Sequence, residues 1–251
     1  MNEPVLALDD VTTAFTSGWG PHHSVIAAMR NVTFAVHAGE TLGLVGESGS
    51  GKSTTASVAL GLRSPTSGHV RFLGKPFGDR KDRIGLLQAV PQNPLWSLNP
   101  RLRVGLSIAE PLAALDRSSL ASHQAAVEAM LDKVRLDRAL AQRFPHELSG
   151  GQRQRVTIAR ALITKPRFLV FDEAVSALDV SVQAQILNLI TDLQVEHGFA
   201  ALFISHDLAA VRYIAHRIAV MRRGQIVELA ETSRFYARPQ HEYSRQLLEA
   251  L

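Results

Sequence analysis

At 251 residues, with 46% hydrophobic and 6% aromatic side chains and a net charge of +4, the chain has the composition of a globular protein with a sizeable α/β core. It has no cysteine, which excludes disulfides, thiolate catalysis and cysteine-held zinc or iron–sulfur sites, and no apolar run approaches the ~20 residues of a membrane-spanning helix. The mild charge and scarce aromatics call for no nucleic-acid partner, and Met1-Asn2-Glu3-Pro4 lacks the basic and apolar regions of a signal peptide, so a cytosolic location is expected.

In chain order, Val5 to Phe15 and Val25 to Val36 read as antiparallel strands around the turn Ser17 to His23. Glu40 to Val45 is a short apolar strand and Ser53 to Leu60 a helix, followed by a hairpin at Gly68 to Gly74 with Lys75-Pro76 and a strand over Ile84 to Val90. Helical periodicity marks Arg103 to Leu115, Ser119 to Val134 and Gly150 to Leu162. After Lys165-Pro166 come a strand at Phe168 to Phe171, a helix at Val180 to Val195, a strand at Ala200 to Ile204 and a helix from Leu208. Two short strands surround Arg222-Arg223-Gly224, and Glu242 to Leu251 closes the chain as a short amphipathic helix. Strands alternating with helices imply a parallel sheet covered on both faces. Val182, Ile186, Leu189 and Leu193 recur at helical spacing and read as core, while the basic clusters Arg71 to Arg83 and Arg212 to Arg223 read as solvated faces.

Gly46-Glu47-Ser48-Gly49-Ser50-Gly51-Lys52-Ser53 fits the phosphate-cradling pattern G-x-x-x-x-G-K-[ST] between a strand and a helix, so the chain is expected to bind a nucleoside triphosphate. The glycines let successive N–H groups curl inward beneath the positive end of the new helix. Lys52 would reach the β- and γ-phosphates and Ser53 a Mg²⁺ ion, with Thr54 counted among the nucleotide-binding residues. By itself the pattern also fits a kinase, a GTPase or a helicase.

Phe168-Leu169-Val170-Phe171-Asp172-Glu173 is an apolar strand delivering two acids to its C-terminal edge, where ligands sit in open α/β sheets. Asp172 is placed to hold Mg²⁺ and Glu173 to polarise an attacking water; alone, the pair could be acids meeting solvent. Ser149-Gly150-Gly151-Gln152 opens a helix with a hydroxyl and two glycines, either a routine helix start or a second anion cradle. One nucleotide does not need two cradles on one surface, so the second would serve the nucleotide of another subunit, two chains enclosing ATP between them.

The phosphate loop, Gln92, Leu148-Ser149-Gly150-Gly151-Gln152, Phe171-Asp172-Glu173, Ser176-Ala177-Leu178-Asp179 and His206 before Asp207 together resemble the ordered motif set of ABC transporter ATP-binding subunits, over almost the whole chain. The resemblance implies an α/β P-loop NTPase core with a mixed parallel sheet, an N-terminal antiparallel β-subdomain and an inserted α-helical subdomain. Residues 1–92 and 163–230 would form the core with its antiparallel β-subdomain, 93–162 the helical subdomain with the signature motif, and 231–251 a short C-terminal tail. It also implies that Gln92 senses Mg²⁺ or the attacking water, that His206 contacts the γ-phosphate, that Asp179 lies at the dimer seam, and that Phe15 stacks on adenine, with Trp19 as its competitor.

Gln92-Asn93-Pro94-Leu95-Trp96-Ser97-Leu98-Asn99-Pro100-Arg101 is similar to a segment of peptide and nickel importer ATPases, and Asp172 to Leu187 points the same way. Ala174 resembles the second of the two ATPases in such heterodimers, and Pro239 to Leu248 a variant of the His-Pro-Tyr segment that opens this branch's C-terminal extension. The chain stops within that segment and has none of the cysteines that place an iron–sulfur cluster in some members, so neither a complete extension nor such a cluster is expected. The assembly implied is a dimer of ATP-binding subunits, identical or different, at the cytoplasmic face of the plasma membrane. It would lie under two permeases fed indirectly by an extracytoplasmic solute-binding protein. Trp96 and Leu98 are candidate permease contacts, or else are buried. The competing reading is a non-transport ABC ATPase subunit, such as a component of a phosphonate-degradation complex.

Overall fold

The computed structural model describes residues 3–17, 24–94 and 97–249, so the expectations for Trp19 and Trp96 lie outside the described residues. The chain divides into two compact units, residues 1–80 with 200–251 and residues 81–199.

In the first unit, β1 (Leu6–Ser17) pairs antiparallel with β2 (Ser24–Val36) and with β4 (Ser67–Phe72), and β5 (Lys75–Pro76) continues the sheet in the order β2-β1-β4-β5. β1 buries Leu6, Ala7, Leu8 and Val11, the step from Leu8 to Val11 crossing a shift in its register with β2. A second group of strands is built on β3 (Thr41–Val45), all of whose residues are buried, as a parallel strand with covered faces demands. β3 runs parallel to β8 (Ala200–Ile204) on one side and to β9 (Arg217–Arg222) on the other, with Leu44 opposite Ile204 and Ala219. β9 turns into antiparallel β10 (Gln225–Glu231) through Arg223-Gly224, both at positive φ (48° and 83°), the geometry of a two-residue hairpin that matches strand twist. Helices α1 (Lys52–Ala59), α6 (Leu208–Ile214), α7 (Thr232–Ala237) and α8 (Glu242–Glu249) complete the unit.

In the second unit, β6 (Leu87–Val90) pairs parallel with β7 (Phe168–Asp172). The helices are α2 (Val104–Asp116), α3 (Gln124–Lys133), α4 (Gly150–Leu162) and α5 (Val180–His197). α5 buries Ile186, Leu189 and Leu193, as its periodicity requires, and ends at Gly198 in the left-handed conformation. The strand expected from Ile84 begins only at Leu87. A 3₁₀ turn occupies Arg80–Arg83, and Gly85 at φ 79° breaks extended geometry. The single helix expected over Ser119 to Val134 is a 3₁₀ turn (Leu120–His123) followed by α3. Leu98 is buried at 2% exposure, which removes it from the candidate permease contacts and agrees with the buried alternative. Among the described residues no helix is long and apolar enough to cross a membrane.

Candidate active site

The phosphate loop joins β3 to α1 at the C-terminal edge of the parallel strands. Gly46, Gly49 and Gly51 all take positive φ (149°, 77° and 112°), so the backbone curls there as the pattern demands. Gly46 admits no side chain: a Cβ would stand 2.1 Å from the Met221 carbonyl oxygen at the end of β9. α1 starts behind Gly51 without a side-chain cap, which leaves its first amides to an anion. Lys52 is buried at 8% exposure, and its Nζ donates to the carbonyls of Gly46 (2.7 Å) and Glu47 (2.8 Å), folding the cation back over the loop. Glu47, Ser48, Gly49 and Ser53 are exposed, Thr54 is partly exposed and Ser50 is buried.

The adjacent strand β8 is followed by Ser205-His206-Asp207. Ser205 is buried and its Oγ accepts from the Asp207 amide, Asp207 caps α6 by accepting from the amides of Ala209 and Ala210, and His206 between them is exposed. The hydrogen-bonded turn thus presents the exposed imidazole at the end of the strand next to the one that leads into the phosphate loop. Phe15 lies half-buried on β1 opposite Ile26, with the Arg63 guanidinium 4.2 Å from its ring centroid.

The second unit brings Gln92 and Glu173 together. β6 ends at Val90 and β7 at Asp172, and from these neighbouring strand ends Gln92 Nε2 donates to Glu173 Oε2 at 2.9 Å. Glu173 sits at φ 50°, unusual for a residue with a side chain. Its carbonyl accepts from both the amide (3.1 Å) and the hydroxyl (2.9 Å) of Ser176, which hold this costly conformation. Asp172, half-exposed, closes the strand beside it. The sequence shows Ser176 only as part of a motif; its support of the Glu173 backbone needs a turn geometry that no sequence pattern displays.

Ser149 caps α4 in a reciprocal box: its Oγ accepts from the Gln152 amide (3.2 Å), and Gln152 Oε1 accepts from the Ser149 amide (2.9 Å). The box claims neither the amide of Gly150 nor that of Gly151, and the Ser149 hydroxyl keeps its proton to donate. A cavity of about 320 Å³ opens here, lined by Ser149, Gly150, Gly151 and Gln152 together with Asp179 and Arg155. Burial, and then the positive charge of Arg135, pulls the Arg155 guanidinium below its ordinary value. Asp179 begins α5 without a side-chain cap bond. Gly151 allows α5 to approach, since a Cβ would meet Val182 Cγ1 at 2.7 Å. Arg155 and Val182 were not among the expected site residues; both face the cavity because α4 and α5 pack closely, a tertiary fact.

The family described as ABC transporter matches residues 29–176. The chain is 46% identical over 257 residues to a putative peptide import ATP-binding protein of Brucella abortus, covering 99% of this chain and 77% of the relative. It is 44% identical over 261 residues to the oligopeptide transport ATP-binding protein OppF of Bacillus subtilis, covering 100% of this chain and 83% of the relative. Among solved structures it resembles the dimeric post-hydrolysis state of an ATP-binding cassette bound to ADP and Pi, with a TM-score of 0.78 at 29% identity over 90% of this chain and 98% of that one. The α/β architecture is thus that of the P-loop ATP-binding cassettes.

Proposed function

The chain belongs to the ABC transporter family, and from that premise we propose that this ATPase couples ATP hydrolysis at a dimer interface to the uptake of peptides or similar small solutes through partner permeases. The observation that carries the catalytic assignment is the Gln92–Glu173 hydrogen bond at the ends of β6 and β7, with Glu173 held at positive φ. Glu173 would accept a proton from the water that attacks the γ-phosphorus, and Gln92 would report that event toward the permease. The inward-curled amides of residues 46–53 and Lys52 would hold the phosphates, and His206 would contact the γ-phosphate. Ser149, Gly150, Gly151 and Gln152 would receive the nucleotide held by a second ATP-binding subunit, with Asp179 at the seam. Phe15 would lie against adenine, one side of its ring already engaged by Arg63.

Mg²⁺ keeps waters and substrate phosphates in its shell and needs few protein ligands, and the residues fit that need: Ser53 is exposed at the start of α1 and Asp172 half-exposed at the end of β7. The Ser53 hydroxyl, Asp172 and Gln92 would supply the protein oxygens, and the bound ion would neutralise charge on the transferred phosphoryl group. The subunit would work at the cytoplasmic face of the membrane, beneath two permeases that receive cargo from a solute-binding protein.

Glu173→Gln tests the assignment. The variant should bind ATP within about twofold of the parent, lose at least about a hundredfold in turnover, and accumulate as an ATP-bound dimer in size-exclusion chromatography. Steady hydrolysis by this variant would remove Glu173 from its role.

A further inference from the structure

The segment after β10 reaches back to the phosphate loop. Glu228, on β10 and only 8% exposed, accepts through Oε1 from the Gln240 amide and through Oε2 from the His241 amide, both at 2.9 Å. That bidentate clamp fixes the turn before α8, and His241 Nδ1 then accepts from the Tyr243 amide at 3.1 Å to start the helix. Tyr243 is thereby driven inward to 2% exposure. The Arg222 guanidinium, at the end of β9, lies 4.6 Å from its ring centroid, and its hydroxyl oxygen accepts from the Glu47 amide at 3.0 Å.

Glu47 is the second residue of the phosphate loop. Its amide is held by Tyr243 and its carbonyl by Lys52, while the Gly46 carbonyl takes the second Lys52 bond. The far half of the loop is tied separately, through the Gly224 amide to the Ser50 carbonyl at 2.8 Å. The peptide between Gly46 and Glu47 is therefore oriented from outside the loop, by a residue 196 positions away. Resting on the ATP-binding role proposed above, we infer that Tyr243 is a positioning residue of the nucleotide site, holding the first half of the phosphate loop in its binding conformation. The segment 240–243, with its Glu228 clamp, exists in part to deliver that hydroxyl. A loop that loses this tether populates the binding-competent shape less often, and apparent affinity falls by that fraction.

The test is Tyr243→Phe in the full chain, which keeps the buried ring under Arg222 and removes only the hydroxyl. The dissociation constant for a fluorescent ATP analogue should rise about three- to tenfold, the scale of one backbone hydrogen bond. Amide exchange in the free protein should accelerate at Glu47 and its neighbours while peptides from β3 and β8 keep their protection. A purely structural tyrosine would lower the melting temperature and leave both readings unchanged, and that result overturns the inference. Tyr243→Leu, which also removes the ring, should weaken binding further; equal affinity of all three proteins likewise overturns it. A parent chain that binds no ATP refutes the ATP-binding role instead, and the exchange at Glu47 still shows whether Tyr243 holds that amide.

Discussion

The chain carries two glycine-rich helix starts of opposite character. The phosphate loop before α1 is finished within its own unit, with Gly46 pressed on the Met221 carbonyl, Lys52 folded over the carbonyls of Gly46 and Glu47, and Tyr243 on the Glu47 amide. The start of α4 satisfies only itself: Ser149 and Gln152 exchange two hydrogen bonds, and beyond them lies a cavity of about 320 Å³. The same residue types thus serve two ends. One loop is braced from behind by β9 and the segment before and within α8; the other is a self-contained cap whose front is an open cavity walled by Asp179, Val182 and Arg155, which suits the proposed completion by a second subunit.

Alanine substitutions should separate the two. Gly46→Ala places a Cβ 2.1 Å from the Met221 oxygen at a φ of 149°, so backbone must move or strain. We expect a loss of about 3 kcal/mol in unfolding free energy by denaturant titration, together with loss of ATP binding. Gly150→Ala places its Cβ 3.8 Å from Leu178 Cδ2, an ordinary contact. Its stability should stay within about 0.5 kcal/mol of the parent, and ATP binding by the isolated chain should be unchanged. If the proposed role of the α4 start holds, turnover in the assembled transporter should still fall about tenfold, because the added methyl would stand where a phosphate held by the second subunit would approach. Equal destabilisation by the two substitutions would erase the distinction.

Much of this was legible in the sequence because it is local. The phosphate loop, α4 starting at Gly150 and the apolar strand β7 each follow from a contiguous pattern of apolar periodicity, capping and glycine placement. The Gln92–Glu173 bond was not legible as a contact, although both residues were: its geometry comes from the parallel register of β6 with β7, which pairs Val90 with Phe171. Tyr243 lies in a segment that the sequence marks as a short amphipathic helix and as similar to a family extension, neither of which points to the phosphate loop. Its bond to Glu47 spans 196 positions, and neither the Glu228 clamp nor the Arg222 stacking has any periodic signature. Ile84 failed as a strand start because apolar character outweighed Gly85, whose positive φ closes the turn before β6.

The smallest effect should come from pH, and it bears on the same contrast. Burial pushes the Glu228 carboxyl up, but the Ser244 hydroxyl beside it and the Gln240 and His241 amides outweigh burial and hold it below its ordinary value. A carboxylate depressed in the folded state contributes stability that is complete above the unfolded value, about 4.3, and is lost as pH falls through the lower folded value. Acidification through that range should loosen the turn at residues 240 and 241, release Tyr243, and with it the tether on Glu47. The phosphate loop should then lose exchange protection by roughly threefold while the amides of the Ser149–Gln152 box, which involve no titrating group, keep theirs. Glu228→Gln, which cannot ionise, should show the weakened tether at neutral pH and no further change on acidification. If the parent and Glu228→Gln instead follow the same pH course at Glu47, the carboxylate is not what couples the tail to the loop.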